Sequence, residues 1–395
     1  MNFNLNKGLL CVIAFLSYMV PAALVTQSGV LIKPLSVYLG IELTEAGSMF
    51  SFVTGGALTG SIISMFIFDK LSLKNVFRAF YILFIGASLL LATTKSIPLV
   101  SVCFIALGAV ASVGLAAGAI LITRIFEEKY HASAFIVTDC AFSASGFIFP
   151  TLTVTLLAAG AMWYNAFISV NSIIGLVLVL SFFVTFPKVT KDELKEDKDA
   201  VPFNENIWTV RVILFGLLIG GYLVVQNSLI TWGPTYLMTE LGAEEGVAYS
   251  MIGRFFGPAV LGLLITAAIV TKISARLMMV FVVISTVCIS IYMTLTPSVD
   301  SFLIAVTILG FLTASIYKIF ISVGASQIKN APPRLITFLL MCGSTGATIA
   351  PVLSSYIVKT LGEGSIMYII SGGFCFIAIV ALCTLFLEHR EVKSH

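Results

Sequence analysis

Twelve separate apolar stretches of about twenty residues run along this 395-residue chain, interrupted near the middle by one strongly charged segment. About 20 apolar residues in a helix cross a hydrocarbon core roughly 30 Å thick, so the chain reads as a polytopic membrane protein. The charged segment, from Pro187 to Asn206, holds Lys188, Lys191, Asp192, Glu193, Lys195, Glu196, Asp197, Lys198, Asp199 and Glu205 and is too polar to enter lipid. It leaves six spans on each side. Only 10% of the residues are charged, against about 25% in a soluble chain. Backbone polar groups inside lipid must be satisfied internally, and the apolar runs are continuous rather than alternating, so helices are expected and a β-barrel is excluded.

The spans are placed at 9–32, 46–68, 76–94, 97–123, 133–157, 163–186, 208–232, 246–270, 276–296, 301–327, 334–358 and 365–387. The expected fold class is an all-α membrane protein, its twelve transmembrane helices forming two pseudo-symmetric six-helix bundles. The first bundle takes 1–187, a cytoplasmic central loop 188–207 and the second bundle 208–395. Lys7 and the apolar run behind it look like the start of a signal peptide, but the run continues to Ile32 and reads as the first span.

Basic residues set orientation, because cytoplasmic loops retain them. With the N-terminus inside, seventeen of the 22 Lys and Arg fall on the cytoplasmic side, and three (Lys33, Lys95 and Lys359) fall outside. Arg254 and Lys318 lie within spans. Both termini are therefore expected in the cytoplasm.

Catalytic patterns are missing. There is no HExxH, no GxSxG elbow and no P-loop, so metal hydrolysis, serine nucleophile chemistry and direct use of ATP have no support. The seven cysteines lie within spans and form no CxxC pair, as small buried hydrophobes do. His131, His389 and His395 are too scattered for zinc. No metal, cofactor, catalytic residue or nucleic-acid partner is expected.

The halves echo each other at an offset near 200 residues. Gln27 and Ser28 precede Pro34 in the first span, as Asn227 and Ser228 precede Pro234 in the seventh. Leu39-Gly40 is followed by Glu45-Ala46-Gly47, and Leu241-Gly242 by Glu244-Glu245-Gly246. Ser145-Gly146 precedes Pro150, and Thr345-Gly346 precedes Pro351. Four matches in order point to a duplicated six-helix unit, a pattern typical of secondary transporters.

On these features the whole chain resembles the major facilitator superfamily. Gly60, Asp69, Lys70 and Lys74 look like a degenerate form of that superfamily's loop motif, with Ser72 and Leu73 in its glycine region. A closer likeness, carried by the run Gly310 to Pro333 and by Thr138-Asp139 through Gly146 to Pro150, is to the TsgA proteins, a branch near the fucose permease-like transporters. In those sugar symporters an Asp precedes the first-span Pro and a fourth-span acid takes part in proton coupling. This chain departs from that pattern: Val30 and its neighbours occupy the first region, and the fourth span has no carboxylate before its basic end. The resemblance implies a tenth span that faces a central cavity, and spans five and eight as neighbours.

Three charges stand out well inside spans, where each costs about 2.5–3.5 kcal/mol on the insertion scale. Asp139 lies roughly 12 Å from the cytoplasmic edge, Lys318 roughly 16 Å from it, and Arg254 roughly 13 Å from the outer edge, at 1.5 Å per residue. Asp139 is expected either to carry the coupling proton or to form a structural ion pair with Arg254, itself a gate or interface charge. Lys318 is expected to meet an anionic solute, or else to snorkel to the surface. Gln27, Gln226, Asn227 and Tyr317 are candidate solute ligands, with helix-to-helix hydrogen bonding as the alternative for Gln27 and Asn227. Glycines such as Gly114, Gly118 and Gly262 are read as packing first.

The expected function is movement of a small polar or anionic solute across the inner membrane by alternating access, coupled to protons. The partners are the solute, protons and the lipid bilayer, and the protein is expected to act as a monomer. Efflux of drugs or metabolites by antiport is the alternative within transport. The rival from another class is a transporter-like sensor that does not move its ligand.

Overall fold

The computed structural model describes residues 3–68, 70–187, 208–269, 272–328 and 333–394. Its helices are α1 (Phe3–Thr26), α2 (Ser28–Leu39), α3 (Leu43–Ile67), α4 (Leu73–Leu90), α5 (Ile97–Ile125), α6 (Glu128–Ala158) and α7 (Asn165–Phe183), followed by α8 (Val210–Thr239), α9 (Glu245–Ile269), α10 (Ala275–Leu295), α11 (Val299–Thr313), α12 (Ile316–Ala325), α13 (Pro333–Leu361) and α14 (Ser365–Ser394). Among the described residues, twelve helical stretches are long and apolar enough to cross a membrane. The first expected span is split into α1 and α2, and the tenth into α11 and α12. The chain divides into two compact units, Met1–Pro202 and Phe203–His395. The expected central loop, 188–207, and Asp69 of the loop motif lie outside the described residues.

Two span ends differ from expectation. Apolar runs place the end of the first span at Ile32 and that of the seventh at Trp232, just ahead of Pro34 and Pro234. Both helical paths instead run through the proline, to Leu39 and to Thr239. In lipid, a helix tolerates proline when its neighbours satisfy the freed backbone groups. Gly40, at φ 68°, caps α2, and Gly242, at φ 67°, turns the chain just past the Glu240 cap of α8, a conformation open to glycine. Gly160 and Gly362, at φ 82° and 84°, close α6 and α13 in the same way. Each of these pairs is separated by 202 residues.

Packing repeats with the same spacing. In the first unit α3 lies along α5, and a Cβ at Gly60 would fall on the Ala109 carbonyl oxygen, while one at Gly108 would fall on that of Val53. In the second, α9 lies along α11, and Gly262 meets the Phe311 carbonyl as Gly310 meets that of Phe255. A hydroxyl pair ties each crossing: Ser61 with Ser112 at 2.8 Å, and Thr266 with Ser315 at 3.0 Å. Backbone contact at small residues is how apolar helices gain van der Waals attraction without help from water. Gly108→Ala or Gly310→Ala must therefore push two backbones apart, at an expected cost of about 1–3 kcal/mol. Thermal unfolding of the detergent-solubilised variants should show clear drops in midpoint; midpoints equal to wild type would mean the helices yield freely.

The first unit's core is aromatic, with Phe77, Tyr81, Phe84, Phe104, Trp163 and Phe167 all buried. Gly114 makes room for the Tyr81 ring, and Gly118 for Ser17.

Candidate transport site

The break between α1 and α2 falls at Gln27. Thr26 and Gln27 each turn a side-chain donor back on the carbonyl four residues earlier, Thr26 Oγ1 on Ala22 and Gln27 Nε2 on Ala23. Such bonds compete with the backbone's own i−4 ladder and bend helices. The other end of the Gln27 amide accepts from Thr153 Oγ1 of α6, and the residue is fully buried. Sequence reasoning places Gln27 among the solute ligands; the structure commits both ends of its amide inside the first unit. Thr153 is the partner that sequence reasoning missed. Thr153→Val should strand a buried acceptor and destabilise the first unit by about 1–3 kcal/mol. Its counterpart by the repeat, Ser354, bonds only carbonyls of its own helix, so Ser354→Ala should shift the unfolding midpoint far less.

In the second unit Asn227 makes only half of this arrangement. Its Nδ2 donates to the Leu223 carbonyl at 2.8 Å, again four residues back, but α8 continues unbroken and no bond to α13 corresponds to that of Thr153. Gln226, beside it, is partly buried. Each unit adds a close contact of its own at this crossing. Ser145 Oγ donates to the Met19 carbonyl at 2.7 Å, and Gly346 brings α13 onto the backbone of α8 at Gly220.

Asp139 sits on α6 with partial exposure. Its neighbour Thr138 is fully buried and donates Oγ1 to the Phe135 carbonyl at 2.7 Å. Tyr18 of α1, the helix that packs along α6, is buried, and the charge of Asp139 acts on it and on Cys140. Tyr18 is not among the residues the sequence singles out, since nothing in a linear apolar run shows that α1 packs against α6.

Lys318 is exposed on the first turn of α12, just past the interruption at Ala314 and Ser315. The Thr313 carbonyl, left without its continuous helix, accepts from the Tyr222 hydroxyl at 3.2 Å. Lys318 Nζ stands 6.0 Å from the centroid of the Tyr317 ring, near the usual limit for a cation–π contact. Tyr317 itself, a candidate ligand from the sequence, is half-buried and packs on Gly343 of α13. Arg254 is exposed on α9. It belongs to the second unit and Asp139 to the first.

Lys70 and Lys74 of the loop motif are exposed, and Gly60 belongs to the α3–α5 contact rather than to the loop. Arg78, a turn into α4, makes the contacts here. Its guanidinium donates to Ser181 Oγ at 3.1 Å and to the Ser181 carbonyl at 2.9 Å, and its Cζ lies 3.9 Å from the Phe182 ring centroid. It ties the start of α4 to the end of α7, where a cation also suits the helix dipole. All seven cysteines are free, and no cluster of metal-binding side chains occurs among the described residues.

Two units of six apolar spans each, with helices interrupted beside buried amides and charges, define a multi-pass membrane transporter. The chain belongs to the Major Facilitator Superfamily, whose family model matches residues 10–339; it is a transporter and not an enzyme. Protein TsgA of Escherichia coli O17:K52:H18 (strain UMN026 / ExPEC) is 25% identical over 99% of this chain and 100% of its own length. Protein TsgA of Shigella sonnei (strain Ss046) matches to the same extent. Among solved structures, a D-xylose-proton symporter is similar at a TM-score of 0.73 and 14% identity, covering 97% of both chains. The nucleoside transporter NupG is similar at 0.71 and 13%, covering 98% of this chain and 99% of its own. A POT family transporter in complex with 5-aminolevulinic acid is similar at 0.72 and 13%, covering 97% of this chain and 96% of its own.

Proposed function

We propose that this protein moves a small anionic solute across the inner membrane by alternating access, coupled to protons, as a monomer with both termini in the cytoplasm. The observation that carries the reading is the placement of Lys318, exposed on the first turn of a helix that begins inside a span. Unsatisfied N–H groups at a helix start carry partial positive charge, and discontinuous helices in transporters aim such ends at anionic groups. An ammonium on that turn adds a full charge of the same sign.

Asp139 supplies the proton site in this reading. It is the chain's one carboxylate far from a span end, and a carboxyl that meets low dielectric in one conformation and water in another takes up and releases a proton in turn. Two similar structures are consistent with the scheme: one is a proton symporter, and another holds 5-aminolevulinic acid, a small carboxylic acid. Asn227 and Gln226 offer uncharged contacts to the solute. Gln27 supports the site by holding α6 against the α1–α2 break.

The test is uptake of a panel of small anionic and neutral metabolites into proteoliposomes, with and without an imposed pH gradient. Gradient-dependent accumulation confined to anions supports the proposal. Accumulation of neutral compounds alone, or equal uptake without a gradient, would overturn it. Orientation is tested separately by reporters fused after His395 and inserted near Lys195, both expected to read as cytoplasmic.

A further inference from the structure

We propose that Arg78 and Lys74 form a binding site for the phosphodiester headgroup of an anionic lipid, at the membrane edge where α4 begins and α7 ends. α7 stops at Phe183, and the N–H of Thr185, which would have continued its ladder to the Ser181 carbonyl, donates instead to Asn6 Oδ1 at 2.8 Å. The Ser181 carbonyl is thus one of the orphan acceptors a helix end leaves. Arg78 Nη2 donates to it at 2.9 Å, and Arg78 Nε donates to Ser181 Oγ at 3.1 Å. A guanidinium has five N–H groups. Two are spent here, both on one edge of the plane, and the other three have no acceptor among the described residues. The two terminal nitrogens keep a parallel pair of N–H groups, the fork that meets two phosphate oxygens at once. With Cζ 3.9 Å from the Phe182 ring centroid, the group is held on its face as well as its edge, so little freedom is lost when phosphate binds.

Depth and surroundings select a lipid over a dissolved anion. Arg78 lies roughly 7.5 Å from the start of α4 at 1.5 Å per residue, close to the ~5–7 Å thickness of a headgroup layer. Lys74 stands one turn nearer the water on the same face of α4, and helical side chains lean toward the N-terminus, so Arg78 leans toward it. Neither α4 nor α7 carries an acidic residue to neutralise the pair. Beside the guanidinium, Phe182 and Phe183 are 68% and 65% exposed; in a chain of twelve apolar spans such rings meet acyl chains. A free phosphate would find the two charges and leave the rings uncovered. A lipid sets its phosphate on Arg78 and its chains along Phe182 and Phe183. A zwitterionic headgroup would bring its own cation against Lys74, whereas an anionic one leaves that ammonium a partner.

The experiment titrates phosphatidylglycerol into the full-length protein held in mixed micelles of phosphatidylcholine and detergent, and follows the thermal unfolding midpoint. A ligand of the folded state raises the midpoint as it binds. The readout is the mole fraction of phosphatidylglycerol that gives half of the rise, which a variant that is merely less stable does not change. Arg78→Gln should move that fraction up by roughly fivefold, the effect of one basic group near an anionic surface. Arg78→Lys keeps the charge without the fork and should move it less, and Lys74→Gln should also raise it. Lys272→Gln, the same change of charge on an exposed residue of the second unit, should stay near wild type. An unchanged half-point in Arg78→Gln would overturn the proposal. An equal shift in Lys272→Gln would overturn it too, since only overall charge would then be sensed. So would an equal rise with inorganic phosphate in place of phosphatidylglycerol, which would mark a site for the free ion.

Discussion

Asp139→Asn is expected to abolish solute accumulation driven by a pH gradient and to leave solute-for-solute exchange far less affected. One pH unit supplies about 1.4 kcal/mol for each proton moved, enough for roughly tenfold accumulation. A neutral amide cannot release that proton, so the variant should only equilibrate its solute. Exchange needs the substrate-loaded protein to reorient but no net proton release, and so it survives. The substitution removes a charge that costs about 2.5–3.5 kcal/mol to place in the bilayer, so poor insertion is not the expected reason for lost coupling. Accumulation by a normally inserted Asp139→Asn would exclude Asp139 as the proton site. If instead a second change, Arg254→Gln or Lys318→Gln, restores activity to Asp139→Asn, the carboxylate serves a structural charge pair.

Lys318→Gln is expected to weaken an anionic solute by about 1.5–3 kcal/mol, or roughly ten- to 150-fold, while changing affinity for a neutral one little. The reason is that an ammonium in a low-dielectric site attracts an anion far more strongly than it does in water. Lys318→Arg keeps the charge but changes reach and hydrogen-bond geometry, so partial activity should remain. Binding measured on folded, monodisperse protein decides the matter. Equal anion affinity in wild type and Lys318→Gln would remove Lys318 from the site and leave it a snorkelling or gating residue.

Hydropathy was enough to count the twelve spans, because crossing lipid requires long continuous apolar runs and little else in a sequence mimics them. The duplication could also be read from paired Gly, Pro, Ser and amide positions, and the left-handed glycines at 40 and 242 show why those pairs recur: each turns the chain at the end of a helix in its own unit. The rare charges Asp139, Arg254 and Lys318 were visible for the same reason, since a charge in an apolar run stands out. Partnership was not visible. Gln27 and Asn227 look equivalent along the chain, yet Thr153, 126 residues away, closes the amide of one and nothing corresponding closes the other. Helix interruption was equally hidden, because Pro34 and Pro234 suggested span ends whereas the α1–α2 break falls at Gln27, whose amide Thr153 of α6 holds. Composition and period fix which segments enter the membrane, since each residue meets lipid on its own account. Which polar groups are spent on neighbouring helices and which are left for a solute depends on contacts between residues far apart in the chain, and only the packed helices decide that.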